Sequence, residues 1–215
     1  MKSILSLFLV LGITLSASAQ ENDIKAKLGE KAIEINTAPF SSSPIRVDRI
    51  KIRSFIESNR VNRYGFTLNT RILSLAEDVT QNVVEIQFAP GTEKHRDITD
   101  RLSAYTGFEG LFGAKFSWYK DKSDSQDLQI SGAIDNVGSE RAYLQIGGNF
   151  LIGADYYIVK NLYLGVELGY GLIYTHFSDI KVKVDGDEVG EPEKGGSSFQ
   201  LGTTYNNMFR LGFTF

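Results

Sequence analysis

Apolar and polar residues alternate one by one along much of the chain, most clearly in its last segment. From Phe199 to Phe215 the odd positions are mainly apolar or aromatic, and the even positions are small or polar. A period of two is typical of a β-strand with one apolar face. The same alternation occurs over 104–118, 144–158 and 162–174. We therefore predict four strands in the second half of the chain.

Shorter alternating runs predict four more strands in the first half, around Ile33, Ile50, 64–72 and 84–89. Short connections are expected at 57–61, 96–101 and 159–161, and long ones at 41–47, 74–82, 120–140 and 181–197. Short turns on one rim and long loops on the other predict an all-β fold, an eight-stranded antiparallel up-and-down transmembrane β-barrel. Both termini would lie on the short-turn rim. Asp185-Gly186 predicts a hairpin turn inside the last long connection.

Either a soluble ligand-binding barrel or a transmembrane barrel would show this alternation, and glycine separates the two. The strand glycines lie on the polar face, except for Gly110 and Gly148. Glycine weakens a strand and has no purpose on a water-facing surface, but the interior of an eight-stranded barrel is only just wide enough for side chains. We therefore predict that the small, polar face is inside and that the apolar face contacts lipid.

The inner face then carries charged residues of both signs. These are Glu34, Lys51, Arg53, Arg71, Glu85, Glu93, Glu109, Lys115, Asp155, Glu167 and Arg210. An unpaired charge buried in a barrel would cost several kcal/mol, so the near-equal signs predict a paired network. A packed polar core that plugs the tube is the favoured interpretation, and a narrow ion path is the alternative.

Aromatic residues on the outer face cluster towards both ends of the strands. Tyr64, Tyr156, Phe213 and Phe215 lie near the short-turn rim, and Trp118, Tyr174 and Phe199 lie near the long-loop rim. Aromatic girdles of this kind mark the two membrane interfaces.

The first nineteen residues have the features of a cleaved export signal. Lys2 precedes an apolar run that ends in Ala17-Ser18-Ala19, which places the cleavage before Gln20 and the mature barrel domain at 20–215. The chain has no cysteine, and its net charge of -3 comes without a basic stripe for nucleic acid. Its mean hydropathy of -0.15 is ordinary because only every second residue of a barrel strand faces lipid. No motif predicts a metal or a cofactor.

The chain has only two histidines, which limits the catalytic possibilities. His95 lies on the inner face beside Glu93, and we expect it to join the polar packing. His176 and Ser178 resemble the His-x-Ser pair of lipid A deacylases of the PagL type, but Asp179 and Ile180 replace the Asn and Ala of that motif. We expect these two residues to be surface residues at the rim without a catalytic role. We do not expect the protein to be an enzyme. The acidic run 185–188 could meet divalent cations, although a solvated loop is the simpler interpretation.

Three stretches carry a resemblance to a known family. They are Phe88-Ala89-Pro90-Gly91, the run from Thr99 to Gly110, and the terminal Phe209-Arg210-Leu211-Gly212-Phe213-Thr214-Phe215. They resemble small porin-family outer-membrane β-barrel proteins of Bacteroidota, with a barrel of the OmpX or OmpA type.

The resemblance implies a Gram-negative outer membrane, with membrane lipid and lipopolysaccharide as surroundings. It also implies recognition of the C-terminal strand by the barrel-assembly machinery. Unlike the OmpA type, we expect no peptidoglycan-binding domain after the last strand. We expect a monomer with a structural or interaction role through its extracellular loops. A narrow pore and a lipid A-modifying enzyme are the alternatives.

Overall fold

The computed structural model describes residues 24–37, 45–123, 126–204 and 209–215, and its regular structure there is entirely β-strand. The strands are β1 (Lys31–Thr37), β2 (Ile45–Glu57), β3 (Arg60–Ala76), β4 (Val79–Asp97), β5 (Leu102–Asp121), β6 (Leu128–Ser131), β7 (Tyr143–Val159), β8 (Leu162–Phe177), β9 (Lys181–Val184), β10 (Asp187–Glu188), β11 (Ser197–Thr204) and β12 (Phe209–Thr214). No helix long and apolar enough to cross a membrane occurs in this part of the chain. The predicted export signal lies outside the described residues.

The strands close into a ring. Each pairs antiparallel with the next in the order β1, β2, β3, β4, β5, β7 and β8, and β12 returns to pair with both β8 and β1. The eighth position also includes β11, which pairs with β8. Lys31 and Phe215 exchange backbone hydrogen bonds at the short-turn rim, where the described chain closes. The predicted fold, an eight-stranded antiparallel up-and-down barrel, is confirmed.

The register of the ring fixes its dimensions. Directly paired residues lead once around the wall in the order Tyr174, Ile146, Phe112, Phe88, Phe66, Ile50, Ile35, Leu211 and Leu164. The path returns to β8 ten residues below its start. With a rise of about 3.3 Å per residue and a strand spacing of about 4.8 Å, this offset tilts the strands by roughly 40°.

The two faces of the wall differ as the glycines predicted. The largest side chains buried to below 2% exposure include three arginines and two glutamates, whereas exposed Phe, Leu and Ile side chains cover the outer face. All nine residues on the path around the ring are apolar or aromatic and point outwards. The barrel is therefore polar inside and apolar outside.

The prediction of a long connection at 74–82 is wrong. β3 continues to Ala76 and β4 begins at Val79, so only Glu77 and Asp78 form the turn. Asp78 has a positive φ of 70°, which aspartate tolerates better than most residues. The polar composition suggested a loop, but the residues around Asp78 support a tight hairpin.

Two of the long connections build a second small sheet. β6 adds to the upper end of β5, β9 pairs with β6, and β10 pairs with β9. Asp185 and Gly186 both have positive φ between β9 and β10, which confirms the predicted hairpin turn. Ile130, Ala133 and Ile180 form a buried cluster under Tyr119 and Val182. We call β6, β9 and β10 the loop sheet.

The short-turn end of the barrel is filled by an apolar cluster. Ala32, Phe55, Val61, Tyr157 and Tyr163 are buried together. Two residues that precede β1, Ile24 and Ala26, pack against them. This end of the described lumen is therefore closed by packed side chains.

Adjacent glycines on opposite faces of β7 provide a test of this wall. A Cβ at Gly147, inside, would lie 2.6 Å from the backbone oxygen of Leu172, whereas a Cβ at Gly148, outside, would have its nearest neighbour at 3.8 Å. We expect Gly147→Ala to lower the free energy of unfolding by about 1–3 kcal/mol through overpacking.

Gly148→Ala is the matched control. It should leave the free energy of unfolding unchanged or raise it by up to about 1 kcal/mol, because alanine restricts the unfolded chain more than glycine does. Urea titration in detergent micelles, followed by tryptophan fluorescence, measures both. Equal effects of the two substitutions would contradict the assigned faces.

Candidate functional site

Ten charged side chains meet inside the lower part of the barrel, and we call them the lumen cluster. Five are basic and five are acidic: Arg49, Lys51, Arg53, Arg63 and Arg210, with Glu34, Glu93, Glu109, Asp155 and Glu167. They come from β1, β2, β3, β4, β5, β7, β8 and β12, at inward positions of the period-two pattern. Every strand position of the ring therefore contributes to one charged centre.

The lower half of the lumen cluster is built around Arg53 and Arg210. Arg53 donates to Glu34 at 3.0 Å and to Asp155 at 2.7 Å, and it also donates to Glu93. Arg210 contacts the same two carboxylates, Glu34 at 2.9 Å and Asp155 at 2.8 Å. Two guanidinium groups and two carboxylates thus form a closed ring of ion pairs, in which every side chain is almost fully buried.

The upper half of the lumen cluster is built around Arg63. Its guanidinium lies 2.6 Å from Glu167, 2.9 Å from Glu93 and 2.9 Å from Glu109. Lys51 lies 3.2 Å from Glu167 and 3.4 Å from Glu34. Arg49 donates to Glu109 at 2.8 Å. Each of the five carboxylates consequently touches at least two cations.

Tyrosine and histidine side chains add further hydrogen bonds to the lumen cluster. Tyr105 donates its hydroxyl hydrogen to Glu167 at 2.5 Å, and Tyr163 donates to Glu34 at 2.8 Å. His95 contacts Glu93 through Nε2 at 2.9 Å and Ser103 through Nδ1 at 3.1 Å. Its ring stacks on Tyr105 with 4.9 Å between ring centroids. The structure thus places His95 in the polar packing.

One glycine makes room for these ion pairs. A Cβ at Gly165 on β8 would lie 2.6 Å from Nη2 of Arg210 and 2.7 Å from Oδ1 of Asp155. No other residue leaves space for both groups at this point of the wall. Because the barrel is narrow, large charged side chains on some strands require glycine on the strands that they face.

The charges of the lumen cluster balance one another. Buried charges are tolerated only when each is paired and hydrogen-bonded, and here the five positive charges balance the five negative ones. None of the ten residues exposes more than a small part of its side chain. No group of three or more His, Asp or Glu residues in the described parts of the chain has metal-binding geometry.

A second charged group lies at the long-loop end of the lumen. Glu140, in the connection after β6, receives hydrogen bonds from Arg71 at 2.5 Å and from Lys115. These two cations lower the pKa of the Glu140 carboxyl, with Lys115 making the larger contribution. Glu85 accepts hydrogen bonds from Tyr143 at 2.7 Å and from Gln87 at 2.9 Å. Glu140 therefore ties its loop to the barrel mouth.

The predicted network divides between these two groups. Eight of its eleven residues join the lumen cluster, whereas Arg71, Glu85 and Lys115 belong to the group at the mouth. The sequence interpretation missed Arg49 and Arg63. Each lies on the inner phase, next to the first residue of a predicted strand, so extending the alternation of β2 and β3 by one residue would have identified both.

The predicted girdle residues all lie on the outer phase of the wall. Six of them are exposed: Tyr64, Tyr156, Tyr174, Phe199, Phe213 and Phe215. Trp118 is half-buried, at the level where Ser131 of β6 pairs with it. Phe199 and Tyr174 stand directly opposite each other on β11 and β8.

The structure does not hold His176 and Ser178 on one strand face. His176 is exposed on β8, but the strand ends at Phe177 and Ser178 belongs to the following loop. Asp179, the nearest carboxylate in sequence, accepts hydrogen bonds from the Gly195 backbone and from Lys194. No carboxylate in the described residues hydrogen-bonds to His176, so a deacylase triad has no geometric support.

No family model matches the chain, and no curated protein matches it. Among solved structures, the chain is similar to Ail, the attachment invasion locus protein of Yersinia pestis. The identity is 12%, the TM-score is 0.40, and the match covers 88% of this chain and 100% of Ail. The fold assignment rests on the closed register of the strands.

Removing one cation tests how strongly the lumen cluster is coupled. Arg53→Met would leave Glu34, Glu93 and Asp155 short of a buried positive charge. We expect the free energy of unfolding to fall by about 3–5 kcal/mol, because loss of one partner leaves uncompensated charge. Denaturant titration of the purified protein in micelles measures this loss.

Arg71→Met is the matched control, since Arg71 is half exposed and pairs with a partly exposed Glu140. Its substitution should change the free energy of unfolding by less than about 1 kcal/mol. A similarly small effect of Arg53→Met would show that the lumen cluster is hydrated and loosely coupled.

Proposed function

We propose that this protein is an integral outer-membrane β-barrel whose lumen is plugged by paired charges and whose loop sheet serves contacts outside the cell. The observation that carries the proposal is the inversion of the barrel, with ten charged side chains inside and an apolar belt outside. A water-soluble protein would expose the charges and bury the apolar residues. Lipid is the solvent that suits this distribution.

The height of the apolar belt supports the proposal quantitatively. On β8 every outward position from Leu164 to Tyr174 carries an exposed apolar or aromatic side chain, and this run spans ten residues. At a tilt of roughly 40° each residue rises about 2.5 Å, so the belt spans about 25 Å. This equals the apolar band of about 25 Å that surrounds bacterial outer-membrane barrels. The aromatic residues at both strand ends would then lie at the two interfaces.

The long-loop end supports a role in binding rather than transport. β5 has 20 residues, about twice the length needed to cross a membrane, and it carries the loop sheet on its upper part. The buried cluster of Ile130, Ala133 and Ile180 gives the loop sheet a defined shape. A rigid surface held away from the bilayer suits recognition of a partner or adhesion.

A narrow pore is the second candidate function, and the lumen gives it a specific basis. The path is lined by charges of both signs, as in channels that pass small ions. The balanced pairing of the lumen cluster and the apolar cluster beneath it favour the plugged barrel instead.

Single cysteine labels test the membrane placement, because the chain has no cysteine of its own. We expect a spin label at Leu164→Cys, in lipid vesicles, to be relaxed by oxygen and not by a water-soluble nickel complex. A label at Lys183→Cys, on β9 of the loop sheet, should show the opposite behaviour. Contact of the Leu164→Cys label with the nickel complex would refute membrane embedding.

Planar-bilayer recording separates the plugged barrel from the pore. We expect the wild-type protein to give no single-channel steps at moderate voltage, since ion pairs and packed tyrosines close its lower lumen. Arg71→Met, at the mouth, serves as the control and should be equally silent. Steady conductance steps in the wild-type protein would favour the narrow pore.

A further inference from the structure

The outer wall carries a trench at mid-height across β4, β5 and β7. Its floor consists of Pro90, Gly110 and Gly148, and Gly110 stands directly opposite Gly148. Phenylalanine rings rise on both sides, with Phe88 and Phe112 above and Phe108 and Phe150 below.

Packing inside the barrel does not require the two floor glycines. A Cβ on Gly110 would meet its nearest atom, in the Phe112 ring, at 3.5 Å, and one on Gly148 would have 3.8 Å. Neither glycine has a positive φ. Gly147 and Gly165, by contrast, could carry a Cβ only by clashing with backbone or with buried ion pairs. Glycine weakens a strand, so the open space at Gly110 and Gly148 calls for an external occupant.

The backbone hydrogen bonding at the floor is also incomplete. β4 keeps its full register with β3 at Tyr64 and Pro90, but the register between β4 and β5 omits Ala89 and Pro90. Pro90 has no N–H, so the carbonyl of Gly110, which the register places opposite it, receives no ladder hydrogen bond. The floor of the trench therefore has little side-chain cover and one carbonyl without a ladder hydrogen bond.

A basic patch lies below the trench on the same face. Arg60 and Lys94 stand directly opposite each other, and Arg96 follows two residues further along β4. Lys94 and Arg96 are exposed, and no carboxylate in the described chain lies within ion-pair distance of either. Arg60 has only a long contact of 3.4 Å to Glu57. Lys94 lies four residues from Pro90, about 13 Å along the strand.

We propose that this wall binds one anionic phospholipid from the leaflet at the short-turn rim. Its phosphate contacts Arg60, Lys94 and Arg96, and one acyl chain lies in the trench over Pro90, Gly110 and Gly148. At about 2.5 Å of rise per residue the floor lies about 10 Å from the patch along the barrel axis, which is within the depth of one hydrocarbon leaflet, about 15 Å. The site rests on the proposed membrane placement and adds a defined lipid to it.

Native mass spectrometry of the detergent-purified full chain tests the proposal with added phosphatidylglycerol and, separately, phosphatidylethanolamine. We expect one retained phosphatidylglycerol and weaker retention of phosphatidylethanolamine. Lys94→Gln with Arg96→Gln should weaken phosphatidylglycerol retention by roughly thirtyfold, because two basic contacts to an anionic lipid are lost. Lys160→Gln, an exposed cation on another turn of the same rim, should have no effect.

Filling the trench tests the acyl-chain contact independently. Gly110→Val with Gly148→Val should remove retention of phosphatidylglycerol without unfolding the barrel, since valine favours strands and both sites have room. Ala154→Val adds similar bulk to β7 outside the trench and should retain the lipid. Heat-modifiable migration on gels reports whether each variant is folded.

Three outcomes would overturn the proposal. The wild-type protein could retain no lipid, the patch and trench variants could retain as much lipid as the wild-type protein, or the wild-type protein could form a lipid-free dimer that is lost in the trench variant. The last result would assign the trench to a second copy of the chain. If the Leu164→Cys label lies in lipid while no phospholipid is retained, only this site fails. If that label lies in water, the membrane placement fails as well.

Discussion

The structure depends on charge balance inside a narrow barrel. An eight-stranded wall with a ten-residue offset leaves a lumen that side chains fill, and the ten residues of the lumen cluster occupy its lower part with equal numbers of each sign. Within so small a volume, each charge is stable only in the company of its partners. The glycines opposite the arginines and the closing tyrosines follow from that requirement.

The wall and the loops follow from the same geometry. Alternate residues of each strand point inwards and outwards, so the polar interior and the apolar exterior are two consequences of one period-two pattern. β4 and β5 extend well beyond the belt, and their upper ends provide the edge on which β6 begins the loop sheet. The barrel thus gives a firm base to the loop sheet.

Period-two alternation predicted the barrel and its inner face because alternation is a local property of the chain. It failed at 74–82, whose polar composition suggested a loop, so the tight turn at Asp78 was taken for a long connection. The loop sheet could not be predicted, since β6 and β9 are only four residues each and meet across about fifty residues of chain. The division of the predicted charges into two groups depends on strand heights, which only the register gives.

The ion pair of Glu34 with Arg210 joins the first strand of the ring to the last, 176 residues apart in sequence. A barrel in which β1 and β12 have not yet paired would leave both groups, and the neighbours that share them, without full charge compensation. Formation of the lumen cluster is therefore coupled to closure of the strand ring. The lumen charges therefore favour the closed ring, because an open barrel is destabilised by its unpaired charges until the last strand pairs with the first.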